Sequence, residues 1–384
     1  MFRLVASLGF ALSAICAFAQ EPATITVQKG ALLNAHISGI SGGDGAKATS
    51  VLSNDLTLSN AFAIGAESSA NFIISGTSSG GQLQGRVVDR SGGTVLEKSY
   101  SGDTRSAGHQ FADDIVETVT GNPGIATTKL AFVANASGKK EIYLSDYDGA
   151  NARQLTHDGG ISVSPSLSPN GRELLYTGYQ SGYADIYKID LGSGARNRVV
   201  KSPGTNSGAS FSPSGGSFAA TLSKDGNPEL YVIGIGGGGG RRLTHTKNSE
   251  SSPSFSPDGD EIVYSSDEGG QPQLYRISAS GGSGSRLGTG YGYCTEPSWS
   301  PDGKKIAFNM RNNGNFAVAI YNVGSGSTKV VTSGDDAEDP TWARDSRHLF
   351  FAQDHGVYLL DVQTGKQVKV VSGLGKISEP SASR

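Results

Sequence analysis

From residue 129 onward, apolar and polar positions recur with a fixed beat. Short apolar runs, LLYTG, FAATL, IVYSS, IAFNM and LFFAQ, begin at Leu174, Phe218, Ile262, Ile306 and Leu349. The first four follow the phrase Ser-x-Ser-Pro-x-Gly, whose prolines Pro169, Pro213, Pro257 and Pro301 stand 44 residues apart. Such a phrase is a turn: Ser opens it, Pro presets φ at the second position, and Gly supplies a positive φ at the exit. A fifth, worn copy, TWARDS at 341–346, has Arg344 and Ser346 in the Pro and Gly places, which predicts a looser turn. After each run come a hairpin, usually Gly-containing, a third strand such as DIYKID, ELYVIG, QLYRIS or GVYLLD, and a further turn into a fourth strand such as RRLTH. Four short strands in a unit of roughly 40–45 residues predict a β-propeller blade.

A sixth copy, KLAFVANASGKKEIYLSDYDGANARQLTH from Lys129, lacks a first strand, while SEPSASR at 378–384 reads as a first strand with nothing after it. Joined, the two halves complete one blade. The expectation is a six-bladed propeller over 129–384, closed by its C-terminal strand, which leaves no open sheet edge. Residues 20–122 do not repeat. Ala48, Val51, Leu52 and Leu56 have helical spacing, as do Ala107, Phe111, Ile115 and Val119, and Gly121 and Pro123 stop the second helix. NAHISGI, NFIISGTS, QLQGRVVD and TVLEKSY read as strands, and TITVQ at 24–28 as another. The fold class is therefore mainly β with a small N-terminal α/β domain, 20–122, and a linker, 123–128, before the propeller.

Residues 1–19 read as a signal peptide: one basic residue, Arg3, then an apolar stretch, then Ala17 and Ala19 before the cleavage point. Cleavage would remove Cys16 and leave Cys294 alone, so no internal disulfide is expected. A net charge of -3 over 384 residues gives no general attraction to nucleic acid or anionic lipid. Two G-x-S-x-G matches, at Gly39 and Gly76, have no identifiable His and acid partners, so no hydrolase is expected. The six His residues show no metal-ligand spacing and read as surface or turn positions. SDYDGAN at 145–151 lacks the closing Glu of a calcium loop and reads as a plain turn, and Asp113-Asp114 as a solvated helix face.

One constellation points to a site. First strands line the channel of a propeller, and the residue before the strand's own Pro position is Ser164, Gly208, Ser252, Glu296, Asp339 and Glu379 in the six copies. The three carboxylates fall on neighbouring blades, with Asp335, Asp336 and Glu338 beside them. Ser164, Ser252, Glu296, Asp339 and Glu379 are thus the candidate partner-binding residues at the channel mouth, suited to a basic loop or, alternatively, to a divalent cation held by oxygen ligands. No other cofactor is expected.

The segment HQFADDIVETVTGNPGIATTKLAFV at 109–133, then EIYLSDYDGANARQLT at 141–156, then the SPNG, SPSG, SPDG and SPDG phrases resemble, in this order, the TolB family of periplasmic Tol–Pal proteins. The resemblance covers the whole mature chain. It implies a monomeric, non-enzymatic periplasmic scaffold that binds the lipoprotein Pal through the propeller and supports outer-membrane integrity and cell division. It also implies that the N-terminal segment QEPATITVQ, 20–28, engages TolA. The alternative is a periplasmic propeller that binds a small ligand such as a glycan or peptide.

Overall fold

The computed structural model describes residues 32–312, 314–332 and 336–383. The signal peptide expected at 1–19, the strand and TolA-type segment expected within 20–28, and Asp335 lie outside these residues. No helix among the described residues is long and apolar enough to cross a membrane.

The first part of the chain builds a five-stranded sheet from β1 (Leu33–Ser41), β2 (Phe62–Ile64), β3 (Phe72–Ser79), β4 (Gln82–Asp89) and β5 (Thr94–Ser101), in the order β2-β1-β3-β4-β5. The strand β1 runs parallel to β2 and β3, and β3, β4 and β5 are antiparallel. Two helices, α1 (Gly45–Leu58) and α2 (Thr104–Thr120), pack side by side against it. Ala48, Val51, Leu52 and Leu56 of α1 are buried, as are Ala107, Phe111 and Ile115 of α2, as the 3.6-residue spacing requires. The Asp103 carboxylate caps α2 by accepting from the amides of Arg105 and Ser106, and Gly121 ends it at φ 72°. Phe111 lies over Gly85 of β4, where a Cβ would sit 2.5 Å from the ring.

The rest is six four-stranded antiparallel blades. Blade 1 joins Ile377–Ala382 to Lys129–Ala134, Glu141–Asp146 and Arg153–Gln154, so the C-terminal strand closes the ring. The first strands of blades 2 to 6 are Ser162–Leu167, Asn206–Phe211, Glu250–Phe255, Cys294–Trp299 and Glu338–Trp342. Second strands carry the apolar runs: Phe132, Tyr176, Phe218, Phe308 and Phe351 are wholly buried between sheets. Some fourth strands are shorter than the sequence suggests. RRLTH contributes only Arg241–Arg242, because the Thr244 hydroxyl then takes the ladder bond from the Leu230 amide at 2.9 Å. Thr156 and Thr332 do the same for Ile142 and Val318.

Every first strand carries a β-bulge. Pairing with the second strand slips by one residue, for example between Ser207 and Ser210 in blade 3 and between Thr295 and Ser298 in blade 5. The extra residue is left-handed: φ is 52° at Ser164, 62° at Gly208, 51° at Ser252, 52° at Glu296, 57° at Asp339 and 54° at Glu379. A Pro follows in five of the six, and it has no amide to leave unpaired. A β-branched side chain is strained in this region. Ser252→Val should therefore lower stability by about 1–2 kcal/mol, read as a shifted urea midpoint, while Ser252→Gly should not lower it.

The worn turn of blade 6 keeps its shape, contrary to the looser turn expected. Ser346 takes φ 55° in the glycine place, and its amide donates to the Ala343 carbonyl at 3.2 Å, as Gly171 does to Ser168 at 2.9 Å. Losing the Pro has another use. Arg344 reaches out of the turn to the Gly124 carbonyl and to Asp113 at 3.1 Å. One hydrophobic core then runs without a break from Leu52, Phe111 and Ile115 into Leu130, Phe132 and Tyr143 of blade 1 and Phe350 of blade 6.

Candidate functional site

The central channel is walled by the first strands of all six blades. Its inner half, toward the Ser-Pro turns and the α/β domain, is a cavity of ≈ 190 Å³ lined by the bulge prolines and the residues after them. Here a hydroxyl ring fastens blade to blade. Ser166 accepts from the Phe211 amide at 3.4 Å, Ser254 from Trp299 at 3.1 Å, Thr341 from Ala382 at 3.4 Å and Ser381 from Leu167 at 3.0 Å. Sequence reasoning missed these residues, although each stands two places after a candidate site residue in the repeat.

The left-handed residues form the next ring outward, toward the face of the hairpins between second and third strands. Three of them make a chain of carboxylates. Glu379 accepts the Ser164 amide at 2.6 Å, and Asp339 accepts the Glu379 amide at 2.8 Å. Asn309 joins the third: its amide group donates to Glu296 while its Oδ1 accepts the Asp339 amide at 3.0 Å. The structure thus brings Glu296, Asp339, Glu379 and Ser164 together, whereas Gly208 and Ser252 add no charge to their half of the ring. Glu296 is exposed and Asp339 and Glu379 are half-buried by surface area, but all three stand within the channel wall among the first strands of neighbouring blades. That enclosure, with the neighbouring carboxylates, raises all three pKa values, Asp339 well above the usual carboxylate range. Asn309 links Glu296 to the Asp339 backbone, and the Glu296 charge is among the causes that raise Asp339. Burial and the charges of Asp339 and Asp336 raise Glu338 as well. Among the described residues no group of three His, Cys, Asp or Glu side chains is arranged to hold a metal ion; the carboxylates are strung in series along backbone amides.

Around this mouth the surface is mixed. Ile161, Tyr179 and Tyr183 of blade 2 are exposed, Tyr183 by 72%, and the Tyr179 amide donates to the Ile161 carbonyl at 3.0 Å. On blade 5 the Arg311 guanidinium lies 4.7 Å from the Tyr293 ring and 4.9 Å from Phe316. A groove of ≈ 650 Å³ continues from Phe316 past Glu338, His355 and Lys376. None of these rim residues was read from the sequence, because hairpin tips vary from blade to blade.

Two sequence readings are corrected on the opposite side of the ring. Asp113 is buried: its carboxylate accepts from the amides of Ala126 and Thr127, the Thr127 hydroxyl and Arg344. His109 and His348 are also buried, each with its Nδ1 2.6 Å from a carboxylate, Asp55 and Asp345. The turn after Glu141–Asp146 is the Asp-Gly turn expected, but it also docks the helices. Asp146 binds Arg105 at 2.7 Å and Lys129 at 2.6 Å, Tyr147 donates to Asp55 at 2.9 Å, and Asp148 pairs with Arg105 and Asn54.

Comparison with known proteins is consistent with this architecture. A family described as "TolB beta propeller domain" matches residues 116–384. A Tol-Pal system protein TolB from Geobacter sulfurreducens is 50% identical over 86 residues, 22% of this chain and 20% of its own length. A TolB homolog from Chlorobaculum tepidum is 41% identical over 100 residues, 25% of this chain and 23% of its own. These alignments therefore span about a quarter or less of the curated relatives. The crystal structure of TolB from Acinetobacter baumannii superposes with a TM-score of 0.80, covering 92% of this chain and 96% of its own at 23% identity, and so shows a common fold.

Proposed function

Since the chain belongs to the TolB β-propeller domain family, matched over residues 116–384, we propose that it is a periplasmic, non-enzymatic scaffold of the Tol–Pal system that binds the lipoprotein Pal at the channel mouth. In this role it supports outer-membrane integrity and cell division, and residues 20–28 engage TolA. The observation that carries the reading is the strained acidic ring on the propeller face away from the α/β domain. Non-glycine residues in left-handed backbone persist where the surroundings over-determine them, and they cluster at binding sites. The ring sets Glu296, Asp339 and Glu379 around the channel on the face that also carries Tyr179, Tyr183, Tyr293 and Phe316, a combination of acidic groups and aromatic anchors suited to a protein partner.

Calorimetric titration of the exported chain with Pal from the same organism tests this. Saturable one-to-one binding is expected, weakened about tenfold or more and with a shallower salt dependence in E296Q/D339N/E379Q. Amides are the right probe, since they keep the acceptors that hold Glu379 and Ser164 in place, whereas alanine would also remove blade-to-blade bonds. No binding by the folded protein would overturn the reading and leave a glycan or peptide in the channel as the next ligand to assay.

A further inference from the structure

Four successive blade junctions are built alike. The first residue of a blade's first strand donates its amide to the carbonyl just before the third strand of the preceding blade: Ser162 to Lys140, Asn206 to Ala184, Glu250 to Pro228 and Cys294 to Pro272, all at 2.8–3.0 Å. The third strand then begins with a buried acceptor side chain, Glu141, Asp185, Glu229 or Gln273. Opposite stands a wholly buried small or amide side chain, Ser162, Asn206 or Cys294. At the junction of blades 2 and 3 the Asn206 amide group donates to Asp185 at 3.3 Å. Only between blades 3 and 4 is that place taken by a second acid, Glu250.

Glu229 and Glu250 are both 0% exposed. The Oε1 of Glu229 accepts from Arg242 at 2.6 Å and the Thr246 amide at 2.9 Å, and that of Glu250 accepts from Thr246 and Ser266 hydroxyls at 2.9 and 3.0 Å. Thr246 bridges the pair, its amide on Glu229 and its hydroxyl on Glu250, and the Oε2 atom of each is buried without a hydrogen bond of good geometry. Two ionised carboxylates that share one bridging residue in a dry site repel each other; a carboxylic acid can donate where Asn206 does. We propose that Glu229 and Glu250 hold one proton between them, and that this proton is the hydrogen-bond donor fastening blade 3 to blade 4, lost as pH rises.

The surroundings favour that arrangement. Burial first, then the Glu229 charge, push Glu250 up to about 7 from an ordinary 4.5 against the Thr246 and Ser266 bonds. Burial also opposes ionisation of Glu229, but Thr244, Arg242 and the Glu250 proton outweigh it and hold Glu229 low. The other titratable groups turned toward the pair are Asp225 and Tyr231 of blade 3 and Tyr264, Glu268 and Tyr275 of blade 4. His245 and Lys247 of the connecting loop are exposed. A pKa raised on folding means that the folded ring holds the extra proton between pH 4.5 and 7. Its contribution is present at the acid end of that window and disappears as pH rises through it.

The test is urea unfolding of the full chain from about pH 4.5 to about pH 8, for wild type and Glu250→Gln, whose amide donates at any pH. The wild-type midpoint should fall with pH, and at least half of that fall should vanish in E250Q. Infrared difference spectra at acid pH should show a protonated-carboxyl band in wild type that E250Q lacks. Should E250Q not fold, Glu229→Gln, which gives the Glu250 carboxylate an amide donor, should flatten the profile equally. A slope unchanged in the folded variant, or no difference band, would overturn the proposal.

Discussion

Deletion of residues 377–384 is expected to abolish cooperative folding of the propeller, well beyond fraying one end. The strand Ile377–Ala382 is the inner strand of blade 1, paired with Lys129–Ala134 through Ile377↔Ala134, Ser378↔Val133, Ser381↔Ala131 and Ala382↔Leu130. It also serves both neighbours. Glu379 and Ser381 accept amides of blade 2 at 2.6 and 3.0 Å, and the amides of Glu379 and Ala382 donate to blade 6 at 2.8 and 3.4 Å. Ser383 adds two bonds to Lys129, at 2.9 and 3.0 Å. Each such bond is worth about 1 kcal/mol net. Removal also bares a sheet edge and uncovers Leu130, Ala131 and Phe132, which are wholly buried. The total, roughly 5–10 kcal/mol, equals the net stability of a typical domain. Near-ultraviolet circular dichroism on heating should show the native transition lost. A truncated protein that melts like the full chain would show that the ring does not depend on closure.

Asp146→Ala should have the next largest effect, at the seam between helices and ring. The Asp146 side chain is 6% exposed and holds Arg105 at 2.7 Å and Lys129 at 2.6 Å, with His109 Nε2 at 3.8 Å. Its removal leaves Arg105 to Asp148 and His109 to Asp55 and takes the carboxylate from Lys129, a loss of about 1.5–3 kcal/mol for hydrogen bonds to charged groups. Hydrogen exchange should then accelerate along α2, and the urea midpoint should fall. Unchanged exchange in α2 would mean that the apolar core alone holds the seam. Burial disfavours charge on His109, but Asp146 and Asp55 outweigh it and push its pKa up to about 9 from 6.5. A pKa raised on folding contributes stability that is complete below 6.5 and is lost as pH climbs toward 9. Wild type should therefore weaken across that window more steeply than His109→Gln.

These results bear on how the proposed partner face and the α/β domain are joined. The acidic ring and the Asp146 seam sit at opposite ends of the same blades. Ser164 and Glu379 link blades 1 and 2 at the mouth, while Asp146, on the third strand of blade 1, grips α2. Load on the mouth and hold on the helices thus share one sheet, so the D146A variant is a useful background for the Pal titration.

Much of this architecture was readable from residue order. The 44-residue beat, the turn chemistry of Ser-Pro-x-Gly and the split sixth copy specify six blades and their closure, because each repeat is one local supersecondary unit. The five candidate residues Ser164, Ser252, Glu296, Asp339 and Glu379 were found by place in the repeat, and all five are left-handed bulge residues of the channel wall. What could not be read was which side chains meet across blades. Asp113 looked solvated because its partners Ala126, Thr127 and Arg344 come from the linker and a turn more than two hundred residues away. The clue lay in a defect of the pattern: Arg344 stands where the repeat expects Pro, and that departure is the docking contact.

Glu229 and Glu250 make the same division. Local sequence determines that each opens a strand of its own blade, since strand alternation and turn residues act over a few positions. The packing of blade 3 on blade 4 decides that the two carboxyls share one dry site, because burial and Coulomb energy depend on distance in space. The sequence by itself determined the blades, their number and the bulge that lines the channel. The tertiary structure decided which charges are paired, which are buried and where a proton must be held.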